Sequence, residues 1–395
     1  MYYLMNKDIP LVAFELIDAF GNEHIVLKEV LSGLPNWIGN IGDWIATRSA
    51  AKHRKHIEKI FRECGISDTR GFLDITRCLS LTDTLWVKSE YDSVTWSDVS
   101  LYSNEFNEVL SKTLFDGIIS EDLDMSSTCP DATTDGQFDK CWIRENGVIR
   151  LVKCGTDEKS AYAVNNNHGR EPYSEVLASP IFEILCNGVH YDLDTFRGRV
   201  VSKCDIFTSD RYGYISYAKY HNRKANILEL LDEYDKLGSR DEFIGMVIAD
   251  CVTINYDRHY GNFGFKIDND TLLPVGINKS FDYNLALFPC ANWGFGFENM
   301  LMYQSYNKHR FGYEYEKLCK PLIDDKYKAE LINLKDLELS IPCDDRFDKK
   351  RLDFINWFKN TQIDMLLGGR VSFSYTGLDK KSNIDNLLLQ AEGNK

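Results

Sequence analysis

Asp257-Arg258-His259-Tyr260-Gly261-Asn262 sets a carboxylate and a carboxamide five positions apart, and a second acid, Asp282, follows downstream. Transfer of a phosphoryl group from ATP needs such a set. One carboxylate orients the attacking hydroxyl, while an amide oxygen and a second carboxylate hold Mg²⁺ against the phosphates. Asp257 suits the first role, as catalytic base, and Asn262 with Asp282 the second, as metal ligands. Asp-x-x-x-x-Asn by itself also describes an ordinary solvated loop, so its surroundings decide.

Those surroundings come in a suitable order. Phe243, Ile244, Val247, Ile248 and Cys251 recur at helical spacing and predict a buried helix over 241–254 with an acidic first turn. Residues 255–262 break the pattern with two Asn, an Asp and a Gly, which form loops. Two apolar runs follow, Phe263–Ile267 and Leu272–Ile277, around the turn Asp268-Asn269-Asp270-Thr271. They predict an antiparallel hairpin that carries the chain away and returns it, bringing Asp282 beside the loop.

Such a site also needs a loop over the phosphates and a lysine fixed by an acid. Asn146-Gly147 between the apolar runs Trp142–Arg144 and Val148–Lys153 predicts a tight hairpin, with Lys153 at the end of its second strand. Just before it, Thr133-Thr134-Asp135-Gly136-Gln137 could cradle phosphate oxygens with hydroxyls and backbone N–H groups, although one Gly makes a sparse loop. Thr133, Thr134, Gly136 and Gln137 are its candidate nucleotide contacts. A helix is predicted around Ser174–Leu185, entered through Glu171-Pro172, with Pro180 expected to kink or divide it. Glu171 and Glu175 lie on it about one turn apart, and the deeper Glu175 is the preferred partner for Lys153. Val200–Phe207 reads as a strand leading into a connection between lobes. Lys203, Asp205 and Phe207 on it are further candidate nucleotide contacts, along a backbone that could hydrogen-bond an adenine.

Composition narrows the class. The length suggests two or three domains with ample apolar content for real cores. No stretch is long and apolar enough to span a membrane, and the N-terminus lacks the basic and apolar regions of a signal peptide. The 11 cysteines are odd in number and scattered without metal-finger spacing. They read as reduced thiols in a cytoplasmic protein. A net charge of −14 opposes broad nucleic-acid binding. Against that trend stands one basic run, Arg48, Lys52, His53, Arg54, Lys55, His56, Lys59 and Arg62. It reads either as the charged face of an amphipathic helix or as a docking patch for an acidic partner or nucleic acid. Residues 117–135 are acidic, hydroxyl-rich and loop-like, and Lys350–Leu367 is predicted to be an amphipathic helix with Phe354, Ile355, Phe358, Ile363 and Leu366 inward.

At this point the chain resembles the HipA-like serine/threonine protein kinases of bacteria. The resemblance rests on T-x-x-G-x-x-x-K at Thr133–Lys140, the Lys153 strand, SEVLAS at Ser174–Ser179, N-x-D-x-H-x-x-N at Asn255–Asn262, and Phe281-Asp282. Leu79–Glu90 and Thr95–Phe106 look like the variant common in Gram-positive bacteria. The resemblance implies an α+β, two-lobed kinase-like fold with an additional N-terminal α/β subdomain. The expected spans are an N-terminal subdomain over 1–115, a kinase N-lobe over 116–205 and a helical C-lobe over 206–395. It further implies ATP and Mg²⁺ as cofactors, a protein substrate, and a candidate antitoxin or DNA-binding partner protein. No direct sequence-specific nucleic-acid binding is expected. Thr133 would lie near the autophosphorylated position of the phosphate loop, where added charge should switch the enzyme off.

Two departures stand out. Asn278-Lys279-Ser280 before Phe281 is more polar than the family usually shows, and Asp257-Arg258-His259 reverses the order found in eukaryotic protein kinases. Three other readings compete: a kinase-fold binding module without transfer, a small-molecule phosphotransferase, and a metal-dependent hydrolase on Asp257, His259 and Asp282. Asn255 stands where the aminoglycoside-kinase type has His, and His259 is expected to brace the loop rather than bind a transition metal.

Overall fold

Alternating side chains build the first sheet and also decide what each of its faces covers. β1 (Tyr2–Asn6), β2 (Ile9–Ala19) and β3 (Asn22–Val30) run antiparallel, and β4 (Leu85–Ser89) returns to pair with β1, giving the order β3-β2-β1-β4. Leu4, Val12, Leu85 and Val87 pack against Trp44 of α1 (Ile41–Arg48) and against Phe72 and Leu73 of α2 (Thr69–Thr76). Met5 and Trp86 join Trp96 of α3 (Trp96–Val99), Leu101 and Ile149 of the next sheet. One face thus closes the subdomain's own core and the other fastens it to its neighbour. The structure is a computed structural model, and it describes residues 1–19, 22–48, 68–106, 115, 130, 139–156, 168–291, 308–341 and 346–369.

The second sheet is made of β5 (Lys140–Glu145), β6 (Val148–Cys154), β7 (Asp192–Phe196) and β8 (Arg199–Asp205), in the order β5-β6-β8-β7. Asn146 and Gly147 turn the first hairpin with φ of 51° and 79°, the left-handed pair that a two-residue turn of this hand requires. Between the hairpins runs α4 (Glu171–Cys186), with Pro172 in its first turn and Asn187 as a left-handed C-cap. Pro180, expected to kink or divide this helix, does not divide it: α4 continues through it as one element.

The third unit holds β9 (Tyr212–Ser216), β10 (Gly264–Asp268) and β11 (Leu273–Ile277) in the order β11-β10-β9. Around them lie α5 (Tyr217–His221), α6 (Ile227–Lys236), α7 (Arg240–Thr253), α8 (Tyr315–Cys319), α9 (Asp325–Asp336) and α10 (Lys349–Leu366). Every residue of α7 from Phe243 to Thr253 is buried, so α7 is the axis of the lobe rather than a surface helix. Phe354, Ile355, Phe358, Ile363 and Leu366 of α10 are buried as the spacing predicts. The first subdomain also reaches this lobe: Tyr214 N–H donates to Thr82 O at 2.6 Å and Asn6 Nδ2 to Asn269 O at 2.7 Å.

α7 can meet α4 because residue 245 has no side chain. A Cβ there would lie 1.9 Å from the Leu185 carbonyl oxygen, a backbone atom. Gly245→Ala should gain about 1 kcal/mol of helix propensity. Overpacking should cost about 1–3 kcal/mol or more, because α4 must shift as a body. Lower stability in urea denaturation is expected, and an unchanged or raised midpoint would refute the close approach.

Arg48 corrects one expectation. It was read as part of a solvated basic face or docking patch, but its side chain is buried and pairs with Asp83 at 2.5 Å. The remainder of that basic run, residues 52–62, lies outside the described residues, as do 131–138 of the expected phosphate loop. Among the described residues no helix is long and apolar enough to cross a membrane, and all eight described cysteines are free thiols.

Candidate active site

The loop after α7 is held from beneath by one buried carboxylate. Asp250 is fully buried on α7 and accepts hydrogen bonds from Asn255 Nδ2 at 2.9 Å and Arg258 Nε at 3.1 Å. Its other neighbour is His309 Nε2, 3.3 Å away. Burial alone would raise the Asp250 pKa, but Arg258 and His309 outweigh it and hold the carboxyl below its ordinary range. Asn255 turns its Oδ1 to the Asp257 N–H at 3.2 Å. Two further backbone bonds, His259 N–H to Asp257 O at 2.7 Å and Asn262 N–H to His259 O at 2.8 Å, wind the loop tightly. Asn262 Nδ2 donates to Asp257 O at 3.0 Å, which commits the amide nitrogen inward and leaves Oδ1 as the group able to meet a ligand.

Arg258 does what no spacing argument assigned to it. Its guanidinium is completely buried, grips Asp250, and donates from Nη1 both to Asn262 O and to Phe281 O, each at 2.8 Å. One nitrogen therefore ties the end of the loop to the residue before Asp282. His259 does bond backbone, accepting from Gly261 N–H at 3.0 Å, but it is exposed. The bracing expected of His259 falls mainly to Arg258.

Lys153 is the last residue but one of β6 and is buried between two carboxylates. Its Nζ lies 2.5 Å from Glu175 Oε1 on α4 and 2.8 Å from Asp282 Oδ1. Glu175 also accepts from Ser202 Oγ of β8. Burial disfavours the Lys153 cation, but the charges of Asp282 and Glu175 more than compensate, and its pKa is raised. Glu175 behaves oppositely: burial leads, only partly offset by Lys153, and its pKa is raised above the usual carboxylate range. Asp282 is pulled down, because Lys153 overcomes the effect of burial.

Aromatic packing holds Asp282 where it is. Phe281 stacks on Phe207 at 5.3 Å between ring centroids, with Tyr214 edge-on to both, and Tyr283 stacks on Phe182 of α4 at 4.0 Å. Asp282 lies between these anchors at φ 61°, a left-handed conformation that Asp tolerates better than most residues, and its N–H donates to Tyr191 Oη at 3.2 Å.

Phe207 therefore sits beside the Asp282 segment, whereas Lys203 and Asp205 point elsewhere. In the β6–β8 register Lys153 faces Ser202, so the side chains of Lys203 and Asp205 fall on the opposite side of the sheet. There Lys203 pairs with Asp194 at 2.6 Å and Asp205 with Arg150 at 2.7 Å. On the Lys153 side of the sheet they offer backbone atoms alone. Thr133, Thr134, Gly136 and Gln137 lie outside the described residues.

Among the described residues no cluster of three or more His, Cys, Asp or Glu side chains could hold a metal by itself. Asp282 and Asn262 Oδ1 nonetheless fit Mg²⁺, which usually takes one or two carboxylates and completes its shell with water and substrate phosphates. The residues that sequence reasoning missed are Asp250, Arg258, Tyr191, Ser202, His309 and Arg310. Only Asp250 left a signal, as a lone carboxylate in the apolar run Met246–Val252.

The architecture is an α+β, two-lobed kinase-like fold preceded by a further α/β unit. Two solved structures align with the chain. HipA of Shewanella oneidensis MR-1, from a toxin–antitoxin complex with HipB and operator DNA, aligns over 93% of this chain and 98% of its own. The TM-score is 0.53 at 10% identity, a likeness of fold. The Helicobacter pylori proinflammatory kinase CtkA aligns over 59% of this chain and 91% of its own, with TM-score 0.42 and 17% identity. No family model matches the chain, and no curated protein matches it in sequence.

Proposed function

We propose that the protein is a Mg·ATP-dependent serine/threonine protein kinase. The observation that carries this reading is the buried Lys153 held between Glu175 and Asp282, with Arg258 tying the residue before Asp282 to the end of the Asp257–Asn262 loop. Lys153 would bind the α- and β-phosphates, with Glu175 fixing its ammonium. Asp257 would orient the acceptor hydroxyl and take its proton. The acceptor oxygen then bonds to the γ-phosphorus as the bond from that phosphorus to the β–γ bridging oxygen breaks, and ADP leaves. Mg²⁺, held by Asn262 and Asp282, would neutralise charge on the phosphate oxygens. Thr133 is the proposed autophosphorylation site. An antitoxin-like partner is proposed by analogy with the HipA complex, in which HipB and operator DNA are present.

Incubation with γ-labelled ATP and Mg²⁺ tests the reading, with phosphosites mapped by mass spectrometry. Labelling of the protein or of an added protein acceptor is expected, and Asp257→Asn should remove it. If label appears equally in Asp257→Asn, that residue is not the base. If the folded wild type neither transfers label nor gains thermal stability with Mg·ATP, the kinase reading fails and a kinase-fold binding module replaces it. Label on a small alcohol but on no protein would instead favour a small-molecule phosphotransferase.

A further inference from the structure

Asp257 is not alone at the mouth of the cleft. Arg310 Nη2 donates to Asp257 Oδ1 at 3.1 Å, and both side chains reach solvent, at 53% and 22% exposure. The turn that delivers Arg310 is anchored on both sides. His309 is buried against Asp250, its Nδ1 accepts from Phe311 N–H at 3.2 Å, and Gly312 N–H closes back on His309 O at 2.8 Å. Since Nδ1 accepts, Nε2 carries the proton that points at Asp250. Phe311 wedges against Tyr260 and Phe263, with centroids 5.8 Å away in each case. Asp250 also fixes Asn255 and Arg258, the neighbours of Asp257. One buried carboxylate thus presets both members of the Arg310–Asp257 pair.

We infer that Arg310 is a positioning residue for phosphoryl transfer, acting through Asp257. It occupies Oδ1 and fixes the plane of the carboxylate, so that Oδ2 is presented to the acceptor hydroxyl. An exposed pair of this kind contributes little to folding. Misplacing a reacting group by roughly an ångström costs about 100-fold in rate. The contact should therefore register in turnover and not in stability. This inference rests on the proposed kinase activity.

The test compares full-length wild type, Arg310→Gln and Arg310→Lys in autophosphorylation and in transfer to dephosphorylated casein, beside binding of a fluorescent ATP analogue and thermal melting. Arg310→Gln should lower the rate at saturating Mg·ATP about 10- to 100-fold, with nucleotide affinity and melting midpoint unchanged. Arg310→Lys should recover part of the loss, because an ammonium can still hold one carboxylate oxygen. A wild-type rate in Arg310→Gln would overturn the inference, and a faster rate would make Arg310 a plug on the base instead. A loss confined to nucleotide affinity and melting midpoint would reduce Arg310 to a structural contact. Those three results leave the kinase reading standing, whereas a wild type that labels neither itself nor casein removes both.

Discussion

Lys153→Met should reduce phosphoryl transfer by about 10²–10³-fold, the usual loss when one preorganised donor to a charged transition state is removed. It should also destabilise the fold in a pH-dependent way. Lys153 is the cation between Glu175 and Asp282, and Glu175 is almost fully buried. Removing one member of a buried pair costs about 3–5 kcal/mol when the charge left behind stays ionised. Asp282 can rehydrate, but Glu175 cannot, so Glu175 will take a proton instead. Its pKa is already raised by burial with Lys153 present, and the substitution raises it further. A carboxyl whose folded-state pKa lies above its unfolded value loses stability as pH rises from the unfolded towards the folded value. The variant should thus be nearer to wild type at about pH 5–6 and weaker at about pH 8. Urea denaturation at both pH values checks this, and Lys153→Met/Glu175→Gln should regain stability at the higher pH without regaining transfer. A pH-independent deficit, or transfer at the wild-type rate, would contradict the arrangement.

Much of the frame around this site is readable because it is local. The apolar spacing of 243–251 marks α7, Asn146-Gly147 marks the β5–β6 turn, and the Asp268–Thr271 turn marks the β10–β11 hairpin. Each signal lies within one element and needs no distant partner. The Lys153–Glu175 pair is half local, since a strand-end lysine and a helical acid are visible, but their meeting depends on how α4 crosses the sheet. β1 and β4 escaped because they pair across the intervening helices, and neither carries a turn signal of its own. Lys203 and Asp205 show the reverse limit. They lie on the expected strand, yet only the register against β6 reveals that their side chains leave the cleft. Arg258 looked like a spacer inside Asp-x-x-x-x-Asn. Its importance comes from Phe281, 23 residues later, and from Asp250, 8 residues earlier, being folded to either side of one guanidinium.

That guanidinium carries the second large effect expected here. Arg258→Met leaves Asp250 buried with only Asn255 and His309, and should cost about 3–5 kcal/mol. Arg258→Lys is the more informative change. It keeps the charge, but an ammonium cannot reproduce the fork that spans Asp250 on one side and the carbonyls of Asn262 and Phe281 on the other. The lysine should stay with Asp250, where the charge is needed, and release the two carbonyls. Asn262 and Asp282, the proposed Mg²⁺ ligands, would then lose their common tether while keeping their own side chains. Loss of such outer support usually weakens metal binding about 10- to 100-fold. The half-saturating Mg²⁺ concentration for transfer should rise by that order in Arg258→Lys, with a smaller loss of stability than in Arg258→Met. Should Arg258→Lys lose stability while its Mg²⁺ dependence stays that of the wild type, the guanidinium would serve the core alone. The geometry argues otherwise, because a group needed only to neutralise Asp250 has no reason to hold the two segments that carry the ligands.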